Sequence, residues 1–304
     1  MKSELPHDLV RTLLAVVDEG TFDAAAAALH VTPSAVSQRI KALEQRAGRV
    51  LLTRTRPVRA TESGQVVVRF GRQLARLEDD ACTALGLAED EEEGVEPSSP
   101  SWLPIAVNAD SLATWFVPAL ASLARDARVY VDLRREDEAH TTALLRAGEV
   151  MAAVTSSPHP VAGCSSRRLG AMVYLPVAAP RFAARWFDGD PALLLPHAPV
   201  VCFDRRDELQ DAFTRELTGG HSASALRHYV PSSEGFIDAV TAGLGWGLVP
   251  HSQAEPRLRR GALVRLLPDR TAEVPLYWQQ WRLDSPALAA VAGAVAAEAE
   301  RALR

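Results

Sequence analysis

Cysteine is scarce. Cys82, Cys164 and Cys202 are the only three in 304 residues, far apart and without a CxxC pair, which argues against a disulfide framework or a cysteine zinc site. The eight histidines are scattered and none pairs with another at i+3 or i+4, so no metal centre is expected. Long apolar runs are missing too. None approaches the roughly 18–20 residues that span a bilayer, and the amino terminus, MKSELPHDLV, lacks a signal-peptide core. A cytoplasmic protein with no membrane partner is expected. The chain contains no GxSxG motif and no phosphate-binding P-loop. Gly243-Leu244-Gly245-Trp246-Gly247 follows a helical pattern and precedes a strand, the reverse of a dinucleotide fingerprint, and reads as a helix end and tight turn. No catalytic residue and no cofactor is expected, and the chain reads as a non-enzyme.

Basic charge is also in deficit. The formal net charge is −5 and the pI about 5.9, which argues against a nucleic-acid binder that is basic throughout, although an average can hide a basic module. Hydrophobic residues make up 47% and charged residues 23%, a composition that packs a core. At about 150 residues per domain the length allows roughly two domains.

One boundary stands out. Ala88 to Ser101 reads AEDEEEGVEPSSPS, with six acids, two prolines and no basic residue; it cannot bury a core and reads as a solvated hinge. Before it, Leu9, Leu13, Val16 and Val17 form a helical stripe, Thr21 is placed to cap a helix from Phe22 to Leu29, and Thr32-Pro33 is an N-cap followed by a proline at N1. The third helix turns Val36, Ile40 and Leu43 inward and ends at Gly48. Val50 to Ala60 suits a two-stranded wing, and Thr61 caps a long helix. In that helix Val67, Phe70, Leu74, Leu77, Ala81 and Ala84 are spaced 3, 4, 3, 4, 3, an a/d seam that fits dimerisation; packing on its own domain is the alternative. After the hinge, strand and helix patterns alternate, which implies parallel sheets flanked by helices in two subdomains.

Arg39, Lys41, Arg46, Arg49, Arg54, Arg56 and Arg59 face a single acid, Glu44, inside an acidic protein. They follow a helix-turn-helix pattern, an arrangement suited to gripping phosphates. Thr32, Pro33, Ser34, Ser37, Gln38 and Lys41 lie at the helix end that would enter a major groove, with Arg54 and Arg56 on the wing. Double-stranded DNA is the expected partner.

The stretch from Gly20 to Gly64 also resembles the winged helix-turn-helix of LysR-type transcriptional regulators. Phe22 with Ala25-Ala26, Thr32, Ala35-Val36-Ser37, Ile40 to Glu44, Leu51 to Arg54 and Thr61 to Gly64 match the family pattern. Pro33-Ser34 departs from the frequent Gln-Pro, and Arg56 is followed by Pro57. NADSLATWF (108–116), REDE (135–138), AAVTS (152–156), CFD (202–204), SSEGF (232–236) and LYW (276–278) are similar to the ArgP/LysG subgroup. The resemblance implies a winged helix-turn-helix over 1–61, a linker and dimerisation helix over 62–87 (Val67, Phe70, Leu74, Leu77, Ala81), and the hinge at 88–101. It further implies an effector domain over 102–304, with two Rossmann-like α/β subdomains of periplasmic-binding-protein type (102–177 with 274–304, and 178–273). A homotetramer acting on RNA polymerase, with lysine or arginine as effector, is implied as well.

In open α/β sheets, ligands gather at the carboxyl ends of strands. Strand patterns end at Asp110-Ser111, Glu136-Asp137, Thr155, Asp204 and Ser233-Glu234. Amides and a hydroxyl at Ser111 suit a carboxylate, and the acids suit cations; each acid alone equally reads as a helix cap or first-turn residue. A different small-molecule effector, a redox sensor using Cys164 and Cys202, and a non-regulatory solute-binding protein remain as alternatives.

Overall fold

The computed structural model describes residues 4–85, 101–123, 129–136 and 138–304. The acidic hinge segment therefore lies outside the described residues except for Ser101, as do the last two residues of the expected linker helix and Asp137.

Local signals build the amino-terminal module. Helix α1 (His7–Glu19) buries Leu9, Leu13 and Val16, and Gly20 closes it in the left-handed conformation at φ 69°. In α2 (Phe22–Ala28) and α3 (Pro33–Ala47) the Thr21 and Thr32 hydroxyls accept from Ala24 N and Ala35 N, satisfying amides that have no intrahelical partner. Strands β1 (Leu52–Thr53) and β2 (Arg59–Ala60) pair antiparallel as the wing. Glu44, the one acid in the basic run, accepts from Leu51 N at 2.8 Å and fastens α3 to the wing.

Helix α4 (Glu62–Leu85) starts where Thr61 accepts from Gly64 N and donates to Val50 O. Its apolar row is not the expected one at its start. Val67 is only 7% exposed and packs into the module core with Val10, Leu13 and Leu51, whereas Val66 is 55% exposed. The open row runs through Val66, Phe70, Leu77 and Ala81, with Leu74 half-buried. The first turns of α4 are apolar on two faces, and the module claims the Val67 face.

The remainder is a mixed α/β structure. Strand β3 (Ser101–Val107) leads into α5 (Ala109–Ser111), a π-helical turn (Leu112–Phe116) and α6 (Val117–Ala121). Next come β4 (Val129–Arg135), α7 (Glu138–Ala147), β5 (Ala152–Thr155) and the long β6 (Cys164–Ala178). Helices α8 (Pro180–Trp186) and α9 (Pro191–Leu194) precede β7 (Val200–Cys202), α10 (Leu209–Thr218), β8 (Arg227–Tyr229) and α11 (Ser233–Thr241). The chain ends with β9 (Gly247–Pro250), α12 (His251–Arg259), β10 (Val264–Arg265), β11 (Ala272–Trp281) and α13 (Pro286–Ala302).

The expectation of all-parallel sheets needs correction. A seven-stranded sheet has the order β10-β6-β11-β5-β3-β4, with β9 also on β6. Only β3 with β4 and β3 with β5 are parallel within it; β6 pairs antiparallel with β9, β10 and β11. The early part of β6 lies on β11 and its last residues on β9 and β10, so β6 carries the chain from one lobe to the other and β11 brings it back, opposite in direction. The second lobe adds the parallel pair β7–β8. Trp115, Trp246, Trp278 and Trp281 are all buried. Gly247 packs so close to the Phe236 ring that a Cβ would lie 2.8 Å from it, a packing role rather than a phosphate loop.

Gly64 sits where α4 crosses the start of the wing. A Cβ there would fall 1.9 Å from Leu51 O, inside any permitted contact, and the obstacle is main chain. Gly64→Ala is expected to destabilise the amino-terminal module by about 1–3 kcal/mol or more, as overpacking does. Thermal unfolding followed by circular dichroism checks this; unchanged melting would mean that the wing does not seat on α4 as described.

Candidate functional site

Two surfaces carry chemistry. The first is the exposed end of α3 with the wing. Thr32, Pro33, Ser34, Ser37, Gln38 and Lys41 are all exposed, as are Arg54 and Arg56. Val36, Ile40 and Leu43 anchor the opposite face of the helix. Pro33 lies at the first helical turn, where a missing amide costs nothing, and the Thr32 and Ser34 hydroxyls are 3.0 Å apart. Short polar groups thus cluster at a helix amino terminus beside cationic side chains on the wing.

The second is a cleft of about 600 Å³ between the two lobes. Asp110, Glu136, Asp204 and Ser233 line it, joined by residues that strand-end reasoning did not find: Tyr174, Phe203, Asp207 and Glu208. Three expected residues are placed elsewhere. Ser111 is buried and off the lining, and its amide already donates to Asn108 Oδ1 at 3.1 Å. Thr155 is buried in β5, where its hydroxyl accepts from Ser157 N. Glu234 points to solvent and accepts from the Ser232 hydroxyl. The strand-end rule locates a crevice but not the direction in which each side chain leaves the backbone.

Asp110 is the best-held acid of the cleft. It follows β3 in the first lobe, yet its Oδ2 accepts from Tyr174 Oη at 2.8 Å and its Oδ1 from Ser233 Oγ at 2.7 Å. Tyr174 belongs to the crossover strand, where it pairs with both Ala272 and Pro250, and Ser233 opens α11 in the second lobe. Gln253 Nε2 in turn donates to Ser233 Oγ at 3.0 Å. Burial pushes the Asp110 carboxyl above its ordinary value, and the two hydroxyl bonds only partly offset this.

Asp204 and Asp207 shape the facing wall. Asp204 Oδ1 accepts from Arg206 N and Asp207 N, so this acid folds the turn before α10. Asp207 accepts from Phe203 N at 2.8 Å and Leu209 N at 3.0 Å. The Gln210 amide, with its nitrogen turned toward Asp207, donates to both oxygens at 3.1 Å. Burial raises the Asp207 carboxyl, and the nearby Asp110 adds repulsion. Asp207 escaped sequence reasoning because it lies inside the β7–α10 turn rather than at a strand end.

Among the described residues, the lining sets five acids (Asp110, Glu136, Asp204, Asp207, Glu208) against one arginine, Arg206. Phe203, Leu209, Phe236 and Leu248 supply an apolar wall. Such a cleft fits a cation on an aliphatic stem. The thiols do not fit a redox sensor: burial pushes Cys202 up to about 11 and raises Cys164 as well, the opposite of a reactive thiolate.

Residues 7–65 match the family model of the bacterial regulatory helix-turn-helix protein, lysR family, and residues 101–300 match the LysR substrate binding domain. The chain belongs to the LysR family of transcriptional regulators. It is 47% identical over 297 residues to the lysine export transcriptional regulatory protein LysG of Corynebacterium efficiens, covering 96% of this chain and 97% of that one. Among solved structures, ArgP from Mycobacterium tuberculosis superposes with a TM-score of 0.90 at 43% identity, covering 99% of each chain. Full-length LysG from Corynebacterium glutamicum with bound effector Arg superposes at 0.83 with 40% identity, covering 98% of this chain and 99% of that one. As a LysR-type regulator the chain carries its DNA-binding and ligand-binding parts in one polypeptide. No helix among the described residues is long and apolar enough to cross a membrane.

Ionisation of Asp110 opposes folding, because its folded pKa lies above the unfolded value of about 3.9. That penalty is absent below the unfolded pKa and develops as pH rises through the folded pKa. Asp110→Asn keeps a carbonyl acceptor and removes the charge. The variant is expected to melt above the parent at about pH 8, with the gap closing as pH falls toward about 4. Parallel melting curves at every pH would show that this carboxylate carries no desolvation penalty.

Proposed function

We propose that this LysR-type regulator senses a basic amino acid, lysine or arginine, in the interlobe cleft and controls a gene for amino acid export. The excess of five acids over one arginine around an apolar wall carries the reading. The arginine-bound state of the similar Corynebacterium glutamicum protein supports it. Asp110, Glu136 and Glu208 are the acids offered to the ligand, with Asp204 and Asp207 holding the facing turn. Asp137 lies outside the described residues and stays in the proposal as a neighbour of Glu136. The chain acts as a regulator rather than an enzyme, in the cytoplasm, and needs no cofactor.

The proposed division keeps DNA binding in residues 1–61, a linker in 62–87, a hinge at 88–101 and an effector domain over 102–304. Phe70, Leu74, Leu77 and Ala81, joined by Val66 in place of Val67, form the dimer seam. A dimer of dimers then presents paired recognition helices to operator DNA, and through it to RNA polymerase.

Titration calorimetry with L-arginine, L-lysine, norleucine and L-glutamate tests the cleft. Norleucine keeps the backbone groups and stem but lacks the terminal cation, and is expected to bind at least about tenfold more weakly, since a hydrogen bond to a charged group is worth about 1.5–3 kcal/mol. Equal binding of norleucine and lysine would overturn the acidic-cleft reading.

At the DNA interface, Arg54→Ala is expected to weaken all duplexes alike and to reduce the slope of log affinity against log salt by about 0.9, the loss of one phosphate contact. Gln38→Ala is expected instead to alter which sequences a random duplex library yields. If neither variant differs from the parent in gel-shift titrations, the recognition helix is misassigned.

A further inference from the structure

One short helix touches both the cleft and the linker helix that runs on from the DNA-binding module. At its start, α7 follows Glu136, and its Thr142 lines the cleft. At its end, Ala147 and Gly148 meet the linker helix. Thr142 and Ala147 are five residues apart, about 7.5 Å along a helix axis. Thr141 and Leu145 are buried, so the helix is anchored between its two ends.

The far-end contact is specific. Arg72 of α4 donates to Ala147 O at 3.3 Å and forms an ion pair with Asp18 of α1. Ala147 is the last residue of α7, where carbonyls lack intrahelical donors and a cation is favoured. Gly148 follows at φ 73°, with Gly148 N bonded to Leu145 O and Glu149 N to Leu144 O. A Cβ on Gly148 would lie 2.9 Å from Arg69 Cα. The two helices therefore approach closely only with glycine at this position, and Arg72 joins α1, α4 and the end of α7.

We propose that α7 is the lever coupling the cleft to the DNA-binding module, with Arg72 and Gly148 as its linker-side contact. The inference rests on reading the cleft as the effector site. A ligand drawn between the lobes displaces the wall that includes Glu136 and Thr142; the helix carries that shift to its carboxyl end; and the Arg72 bond to Ala147 O passes it to α4, whose packing against α1 sets the recognition helices. Arg72 and Gly148 touch neither ligand nor DNA, so they are positioning residues.

The test uses full-length protein, L-arginine, and a duplex selected from a random library by the parent. The coupling factor is the ratio of duplex affinities with and without saturating arginine, and by linkage it must equal the ratio of arginine affinities with and without duplex. Such factors are typically about 5–150. Arg72→Gln and Gly148→Ala are each expected to bring the factor to within about twofold of unity, while arginine affinity without DNA stays within about twofold of the parent. Asp18→Asn, which spares the Ala147 carbonyl bond, is expected to retain coupling. Undiminished coupling in a folded Arg72→Gln protein would overturn the proposal. If the parent binds neither arginine nor lysine, the effector reading fails instead. Amide exchange then decides the lever: faster exchange from Thr142 to Leu145 in Arg72→Gln, with α10 and α11 unchanged, supports it, and unchanged α7 protection overturns it.

Discussion

The half-buried Asp110 carboxylate is the constraint around which the effector lobes are arranged. Its two bonds, from Tyr174 on the crossover strand and Ser233 on the opposite lobe, make it a strut between the lobes. Removing an ionised carboxylate from water is costly, and neutral hydroxyl donors offset only part of that cost. The site is thus left in want of positive charge. A cation entering the cleft would recover free energy that the empty protein forgoes, and it would do so where the lobes meet. Binding energy delivered at a hinge favours one lobe arrangement over another, the differential interaction that a ligand-driven switch requires.

Charge is segregated along the chain for the same reason that the two surfaces can coexist. The whole molecule is acidic, at −5, while the helix-turn-helix and wing expose Arg54, Arg56 and Lys41. The acidic cleft attracts small cations, and the basic module attracts polyanions. Glu44 would weaken the basic surface if it were free, but its carboxylate is committed to Leu51 N and serves to set the wing against the recognition helix.

The amino-terminal module was legible in the sequence because its determinants are local. Thr21, Thr32, Thr61 and Gly48 cap helices within three or four residues of their own positions, and the inward face of α3 follows from period alone. The crossover strand was not legible over its first half. Ser165, Ser166, Arg167 and Arg168 carry no apolar alternation, and only their pairing with Trp278 to Gln280 and Tyr277 across more than a hundred residues makes them a strand. The cleft shows the same division. Asp110 and Glu136 follow from the rule of strand ends, whereas Asp207 and Tyr174 enter through a turn and a distant strand. Ser111, Thr155 and Glu234 leave the lining because adjacency to a strand end says nothing about side-chain direction. The shift from Val67 to Val66 has the same origin: which apolar face of α4 stays open depends on what the wing covers.

These placements bear on how a small ligand could govern a DNA complex. The cleft and the recognition helix share no side chain, so any communication between them needs a rigid element that contacts both bodies. Strands β6 and β11 join the lobes to each other but do not reach the helix-turn-helix. Helix α7 reaches the linker helix that runs on from it, because the carboxyl end of α7, with a glycine where a side chain would clash, admits α4 to van der Waals contact. Close packing of this kind is bistable rather than elastic: the two helices either seat against each other or separate. A displacement of a few tenths of an ångström at the cleft wall can then select between two linker positions, provided that the contact is held by a bond weak enough to break. A single arginine bond to a helix-end carbonyl, partly exposed to water, meets that condition, since such a bond contributes only about 1.5–3 kcal/mol, close to the coupling energies that regulators use.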